Sequence, residues 1–184
     1  MMTARLLRRG RCHVFGDDIP LDEGLIPFDM AIRRIDDPSI LVPELFRQID
    51  PAFHHRVRPG DIIVAGRNFC CGKPHLQGFI AMASLGLSVI CTSMPYKAMR
   101  GAVAKGVAVM TGVDIQAFPF KTGDDVEVDY TDGTVRNVSQ AVSLTGEALS
   151  ATLTDIVAEG GTRGQLRTWL RDHPIMSTEL PRPD

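Results

Sequence analysis

The stretch Gly66-Arg67-Asn68-Phe69-Cys70-Cys71-Gly72-Lys73-Pro74-His75 gathers the side chains best suited to chemistry. It follows the apolar run Ile62–Ala65 and leads into a segment, 76–85, that reads as a helix. A strand, a glycine-bounded turn and a helix start place unpaired backbone N–H groups outward and favour negative charge there. Lys73 and His75 add two cationic donors. Lysine at a helix start opposes the helix dipole unless an anion offsets it, so a carboxylate or phosphate is the expected ligand. A nucleotide-binding P-loop is excluded on two counts. Five residues separate Gly66 from Gly72 where four are required, and Pro74 stands where a Mg²⁺-binding hydroxyl is needed.

The elements around this loop set its position. Ile62–Ala65 reads as a buried strand, 87–92 as a second and 107–110 as a third, with helices over 76–85 and 96–105 between them. This alternation predicts a parallel sheet with right-handed crossovers. Pro74 has the φ suited to a first helical residue and biases Lys73 toward extended backbone. Upstream, 11–15 alternates like a short strand, 17–27 is an acid-, glycine- and proline-rich loop, and Leu41, Leu45, Phe46 and Ile49 give 38–50 helical spacing. Downstream, 126–130 and 134–138 flank an Asp-Gly turn and predict a hairpin. Helices are expected over 146–159 and 163–171.

The chain of 184 residues has the length of one domain, with loose ends expected at 1–10 and 174–184. A net charge of −2 gives no global field to recruit nucleic acid or membrane. Arg5, Arg8, Arg9 and Arg11 form the one basic cluster and read as a solvated N-terminus rather than an RNA- or lipid-binding arm. No signal-peptide core and no run of about 18 apolar residues occurs, which points to a soluble, cytoplasmic protein. Cys12, Cys70, Cys71 and Cys91 have neither a disulfide framework nor the CxxC spacing of zinc or iron–sulfur sites. Adjacent Cys70 and Cys71 diverge and read as small apolar residues beside a tight turn. His54-His55 diverge likewise at a helix end, and His13 and His173 carry no separate signal.

The loop resembles the swivel-domain motif of the aconitase superfamily, most closely in the form of 3-isopropylmalate dehydratase small subunits, Gly-x-Asn-Phe-Gly-Cys-Gly-Ser-Ser-Arg-Glu. Gly66, Asn68, Phe69, Cys71 and Gly72 stand in the same register. Gly16-Asp17-Asp18-Ile19-Pro20-Leu21-Asp22-Glu23 with Ile26-Pro27 is similar to the family's opening Gly-Asp-x-Ile-x-Thr-Asp-x-Ile-x-Pro. Ile49 to Phe53, Val57 to Gly66, Gly123 to Asp129 and Ile156 to Gly161 also fit in order, so the resemblance spans about residues 12–170. It implies a swivelling β/β/α domain of α/β class. It further implies the small subunit of a two-chain hydro-lyase, with a [4Fe–4S] cluster on a separate large subunit and none on this chain. The implied substrate is a small hydroxy di- or tricarboxylic acid such as 3-isopropylmalate.

Departures from the pattern fall on the reactive positions. Lys73-Pro74-His75 replaces Ser-Ser-Arg, in which the family's first serine is the base and its arginine holds a substrate carboxylate. Cys70 replaces a glycine and Leu21 a threonine, and Ser93-Met94-Pro95-Tyr96-Lys97 replaces Ser-Phe-Ala-Arg-Ile. The resemblance then places Lys73 as the base, His75 on a carboxylate and Asp22 as an orienting acid. Asn68, Cys71 and Gly72 line the substrate loop in this reading. Tyr96 reads first as a core residue, with a place in the same pocket as its alternative. The loss of serine and arginine together also fits a non-catalytic binding or regulatory protein that kept the fold.

Overall fold

The computed structural model of the chain describes residues 5–118 and 120–174. Among them seven strands form one sheet: β1 Leu7–Val14, β2 Ile62–Ala65, β3 Ser88–Cys91, β4 Val109–Met110, β5 Asp125–Asp129, β6 Thr134–Asn137 and β7 Val142–Thr145. Their order is β4-β3-β2-β1-β5-β6-β7. β1 is parallel to β2, which is parallel to β3, and β3 to β4, whereas β1 pairs antiparallel with β5. β5, β6 and β7 then run antiparallel. β1 therefore joins a parallel half to an antiparallel half.

The helices are α1 Phe28–Ile32, α2 Pro38–Leu41, α3 Phe53–Arg56, α4 Gln77–Ser84, α5 Tyr96–Ala104, α6 Ala151–Ala158 and α7 Thr162–Asp172. None is long and apolar enough to cross a membrane among the described residues. β2 and β3 are buried along their whole length, as strands of a parallel sheet covered on both faces are. Ile63, Ala65, Val89 and Cys91 pack into the cluster around Phe46, Phe53 and Phe79. Ile62, Val64 and Ile90 turn to the opposite cluster around Val128 and Tyr130. Each large side chain buried this way contributes roughly 1.5–3 kcal/mol. Tyr130 ties the halves together, its buried hydroxyl donating to the Val89 carbonyl at 3.1 Å.

Four expectations are corrected. The 38–50 segment is helical only over Pro38–Leu41, followed by a 3₁₀ turn Val42–Glu44. Pro43 offers no N–H to continue an α-helix, and Phe46 has φ 54. Leu41, Leu45 and Phe46 are fully buried while Ile49 is exposed. The expected helix over 146–159 begins at Ala151, where the Ser150 side chain accepts from Leu153 N–H. Its predecessor Val142–Thr145 is a strand. The N-terminal segment is not loose over 7–10, because β5 pairs with it and Arg5 and Arg9 make ion pairs to Asp129 and Glu127. Finally, α4 begins at Gln77, so Pro74 is not its first residue. The expected loose tail 174–184 lies outside the described residues beyond Pro174.

Candidate active site

Three loops leave the carboxyl ends of β1, β2 and β3 and bind one another. Gly66 N–H donates to Gly16 O at 3.1 Å and Asp18 N–H to Arg67 O at 2.8 Å. Farther along, Cys71 N–H donates to Ile19 O at 3.2 Å and Leu21 N–H to Cys71 O at 2.9 Å, a short parallel bridge outside the main sheet. The third loop enters through Ser93, whose Oγ accepts from Asn68 N–H at 2.8 Å and whose carbonyl accepts from Phe69 N–H at 2.9 Å. Side chains repeat the pairing. Asp17 accepts from Arg67 through the backbone N–H at 2.7 Å and the guanidinium at 2.8 and 3.0 Å. The Arg67 backbone N–H, and then its guanidinium, hold the Asp17 carboxyl below its ordinary range. Asn68 Nδ2 donates to Asp18 Oδ1 at 2.8 Å.

The backbone of the turn explains several of its residues. Asn68 and Cys70 have φ 56 and 60, and Gly72 has φ 91. Left-handed backbone costs a β-carbon-bearing residue about 1–2 kcal/mol, which gives a physical reason for the glycine that the family pattern carries where this chain has Cys70. A Cβ at Gly66 would overlap the Asp17 carboxylate, so the close approach of the first two loops requires glycine there.

The bridge at Cys71 carries Asp22 to His75. His75 Nδ1 lies 2.7 and 3.0 Å from the two Asp22 oxygens. An ionised carboxylate only accepts, so Nδ1 bears the hydrogen and Nε2 is the other ring nitrogen, free of this pairing. The side chains are 31% and 26% exposed, leaving the pair at the surface yet partly shielded. Phe28, from the start of α1, packs on the imidazole with ring centroids 5.2 Å apart. His75 N–H donates to Lys73 O at 3.0 Å, a three-residue turn that redirects the chain before α4. This turn is why the helix starts at Gln77 and not at Pro74.

The sequence-predicted residues separate into groups. Asp22 and His75 are in contact, and Asn68 and Cys71 hold the first two loops together. Gly72 and Lys73 are exposed at the rim beside them. Tyr96 stands apart: it is 71% exposed, which rules out the core role, and its ring faces the Arg100 guanidinium at 5.7 Å. Phe28, Asp18 and Ser93 join the site without having been singled out. Asp18 lay in the acid-rich opening motif and Ser93 opened the segment set against Ser-Phe-Ala-Arg-Ile, but nothing local marked Phe28, whose contact joins separate loops.

Burial pushes the Cys70 thiol well above its ordinary value and Cys91 up to about 12, so both behave as small apolar side chains beside the turn. Among the described residues no three His, Cys, Asp or Glu side chains gather as ligands.

No family model matches the chain. Curated relatives do. A 3-isopropylmalate dehydratase small subunit 1 from Methanopyrus kandleri is 35% identical over 156 residues, 83% of this chain and 88% of the relative. A 2,3-dimethylmalate dehydratase small subunit from Eubacterium barkeri is 30% identical over 154 residues, 83% of this chain and 92% of the relative. Among solved structures, 3-isopropylmalate dehydratase (LeuD) from Methanocaldococcus jannaschii superposes with a TM-score of 0.80 at 29% identity. The match covers 95% of this chain and all of that one. The α/β swivel fold expected from the motifs is thus the observed one.

Proposed function

Because the chain belongs to the 3-isopropylmalate dehydratase small-subunit family, we propose that it serves as the small subunit of a two-chain hydro-lyase acting on a small hydroxy di- or tricarboxylic acid. The observation that carries the reading is the Asp22–His75 pair beside Lys73, on the loop where the family keeps its reactive residues. Dehydration removes a proton from carbon and a hydroxyl from its neighbour, leaving a carbon–carbon double bond and water. On this chain Lys73 takes the proton. It is exposed on the open face, where a covering partner brings it against the substrate. His75 donates from Nε2 to a substrate carboxylate when protonated, and Asp22 fixes the ring and stabilises its charge. Phe28 walls one side of the imidazole. The partner is an aconitase-type large subunit, which holds the [4Fe–4S] cluster and closes over this open face. The setting is the cytoplasm.

The default substrate is 3-isopropylmalate, and the altered loop selects among related malates. Anaerobic co-expression with an aconitase-type large subunit tests this, following the unsaturated acid across 3-isopropylmalate, 2,3-dimethylmalate and malate. Turnover is expected only with both chains present. A stable, cluster-loaded complex that dehydrates none of the panel would leave a binding or regulatory role instead. Activity in the pure small subunit would overturn the division of labour.

A further inference from the structure

At the amino-terminal end of β2, a cavity of about 320 Å³ opens between β1, α3 and the loop entering β5. Its lining is strongly cationic: Arg11, Arg56 and Arg58, with His13, Asp61 and Thr122. The floor is built before any ligand arrives. His13 and Asp61 are 5% and 4% exposed, and His13 Nε2 donates to Asp61 Oδ2 at 2.8 Å. The same oxygen accepts from Arg58 N–H at 2.8 Å, and Phe53 meets the imidazole edge-on at 5.0 Å. The one lining carboxylate is therefore turned inward and occupied. Buried His13 Nδ1 has no hydrogen-bond partner among the described residues.

The arginines differ in how they are neutralised. Arg56 is ion-paired with Asp50. Arg58 Nη1 is held by the His55 and Val57 carbonyls at 3.1 and 3.0 Å, with no carboxylate on its guanidinium among the described residues. Arg11 makes no ion pair among the described residues. Two guanidiniums without acidic partners thus flank a preformed concave surface. Their planar forks match the oxygens of phosphate and carboxylate, and the volume suits a small metabolite.

We infer that this cavity is a binding site for a small dianion of the phosphate class, separate from the hydroxy-acid site. Asp61 precedes β2 and Gly66 follows it, so at about 3.3 Å per residue the two sites are roughly 16 Å apart along the strand. A ligand gripped by Arg11 and Arg58 does not touch Lys73 or His75. The inference stands independently of the proposed reaction.

Isothermal titration of the full chain with inorganic phosphate at fixed ionic strength tests it, with succinate as a dicarboxylate arm. Saturable one-to-one phosphate binding is expected, weakened about tenfold or more by Arg11→Gln and by Arg58→Gln. Arg163→Gln, on α7 outside the cavity, is expected to leave it unchanged. If Arg58→Gln does not fold by circular dichroism, Arg11→Gln on its exposed strand position carries the test alone. Tighter binding of succinate than of phosphate would overturn the phosphate assignment and make the site one for dicarboxylates. Absence of saturable binding by either anion, or binding indifferent to both arginine substitutions, would overturn the site.

Discussion

The two halves of the sheet treat their polar groups in opposite ways. In the parallel half, the loops after β1, β2 and β3 satisfy one another across long stretches of chain, as Asn68 does with Asp18 and Ser93. Among the described residues, the non-glycine residues with left-handed backbone gather in the part of the chain up to Cys70, including Asp18, Glu23, Asn68 and Cys70, with Ala141 the one in the antiparallel half. In that antiparallel half, carboxylates serve nearby turns, with Asp129 and Glu127 also paired to Arg5 and Arg9 at the start of the chain. Asp129 accepts from Thr131 N–H at 2.9 Å, and Asp124 accepts from Lys121 N–H at 3.0 Å and Asn137 Nδ2 at 2.8 Å. Left-handed backbone and the exposed loop groups therefore sit together in one half, and carboxylates closed by turns and by the β1 arginines in the other. Such backbone strain persists only where surrounding contacts impose it, and here the imposing contacts are the loop-to-loop bonds that assemble Asp22, Lys73 and His75.

The largest expected effect breaks the chemistry without touching that scaffold. Lys73→Ala in the two-chain complex is expected to lower kcat by about 10²–10⁴-fold, the usual range for losing a general base. Because Lys73 is exposed, thermal unfolding of the small subunit should hardly move. Full turnover in this variant would remove lysine from the mechanism and leave His75 as the reactive group. Asp22→Asn follows, with a loss of about 10–100-fold from a misoriented and less stabilised imidazole. Orienting acids act through the histidine they hold. The telling readout is rescue by Asp22→Glu, whose carboxylate can still hold the imidazole by its Nδ1 hydrogen. Unchanged kcat in Asp22→Asn would make Asp22 a loop residue only.

How much of this was legible in the sequence depended on range. β2 and β3 announced themselves as apolar runs, and the hairpin around Asp132-Gly133 through its turn, where Gly133 has φ 82. The 66–75 loop and the opening segment carrying Asp22 were picked out through motif register, and the structure brings Asp22 onto His75. Contacts between residues far apart in sequence left no such trace. His13 and Asp61, separated by 48 positions, form a buried pair, yet each alone reads as an ordinary strand or turn residue. Phe28 joins His75 only because the bridge at Cys71 folds one loop along another. The missed strand β7 is short, with alternating half-buried and exposed residues, too weak a pattern to compete with the helical spacing that follows it. The broken 38–50 helix shows apolar periodicity yielding to Pro43 and to the left-handed turn at Phe46.

The seam between the halves offers a smaller test. Tyr130→Phe removes the hydroxyl that reaches Val89 O across the core, at about 1 kcal/mol for one hydrogen bond with the apolar ring retained. Urea unfolding should show that loss while kcat of the complex stays near its original value. A large fall in kcat without loss of stability would mean that the antiparallel half positions the reactive loop, and the contrast between the halves would fail.

The smallest effect concerns pH and separates a buried carboxylate from a partly open one. Burial alone would raise the Asp129 carboxyl, but the Arg5 guanidinium and Thr131 N–H outweigh it and hold it below the ordinary 3.8. A carboxyl depressed in the folded state contributes stability that is present above its unfolded value and lost as pH falls through the folded one. The stability gap between the unsubstituted chain and Asp129→Asn should therefore be full at pH 5 and shrink below about pH 3.8. Asp17 is lowered in the same direction by Arg67, and the two arginines are equally open, Arg67 at 67% and Arg5 at 68%, but the Asp17 carboxylate is itself 26% exposed. Its contribution should fade with added salt, whereas that of Asp129, 4% exposed, should persist. Urea midpoints for Asp17→Asn and Asp129→Asn at low and high salt make the comparison. Equal salt sensitivity at both positions would show that the antiparallel half shields its carboxylates no better than the loops of the active face.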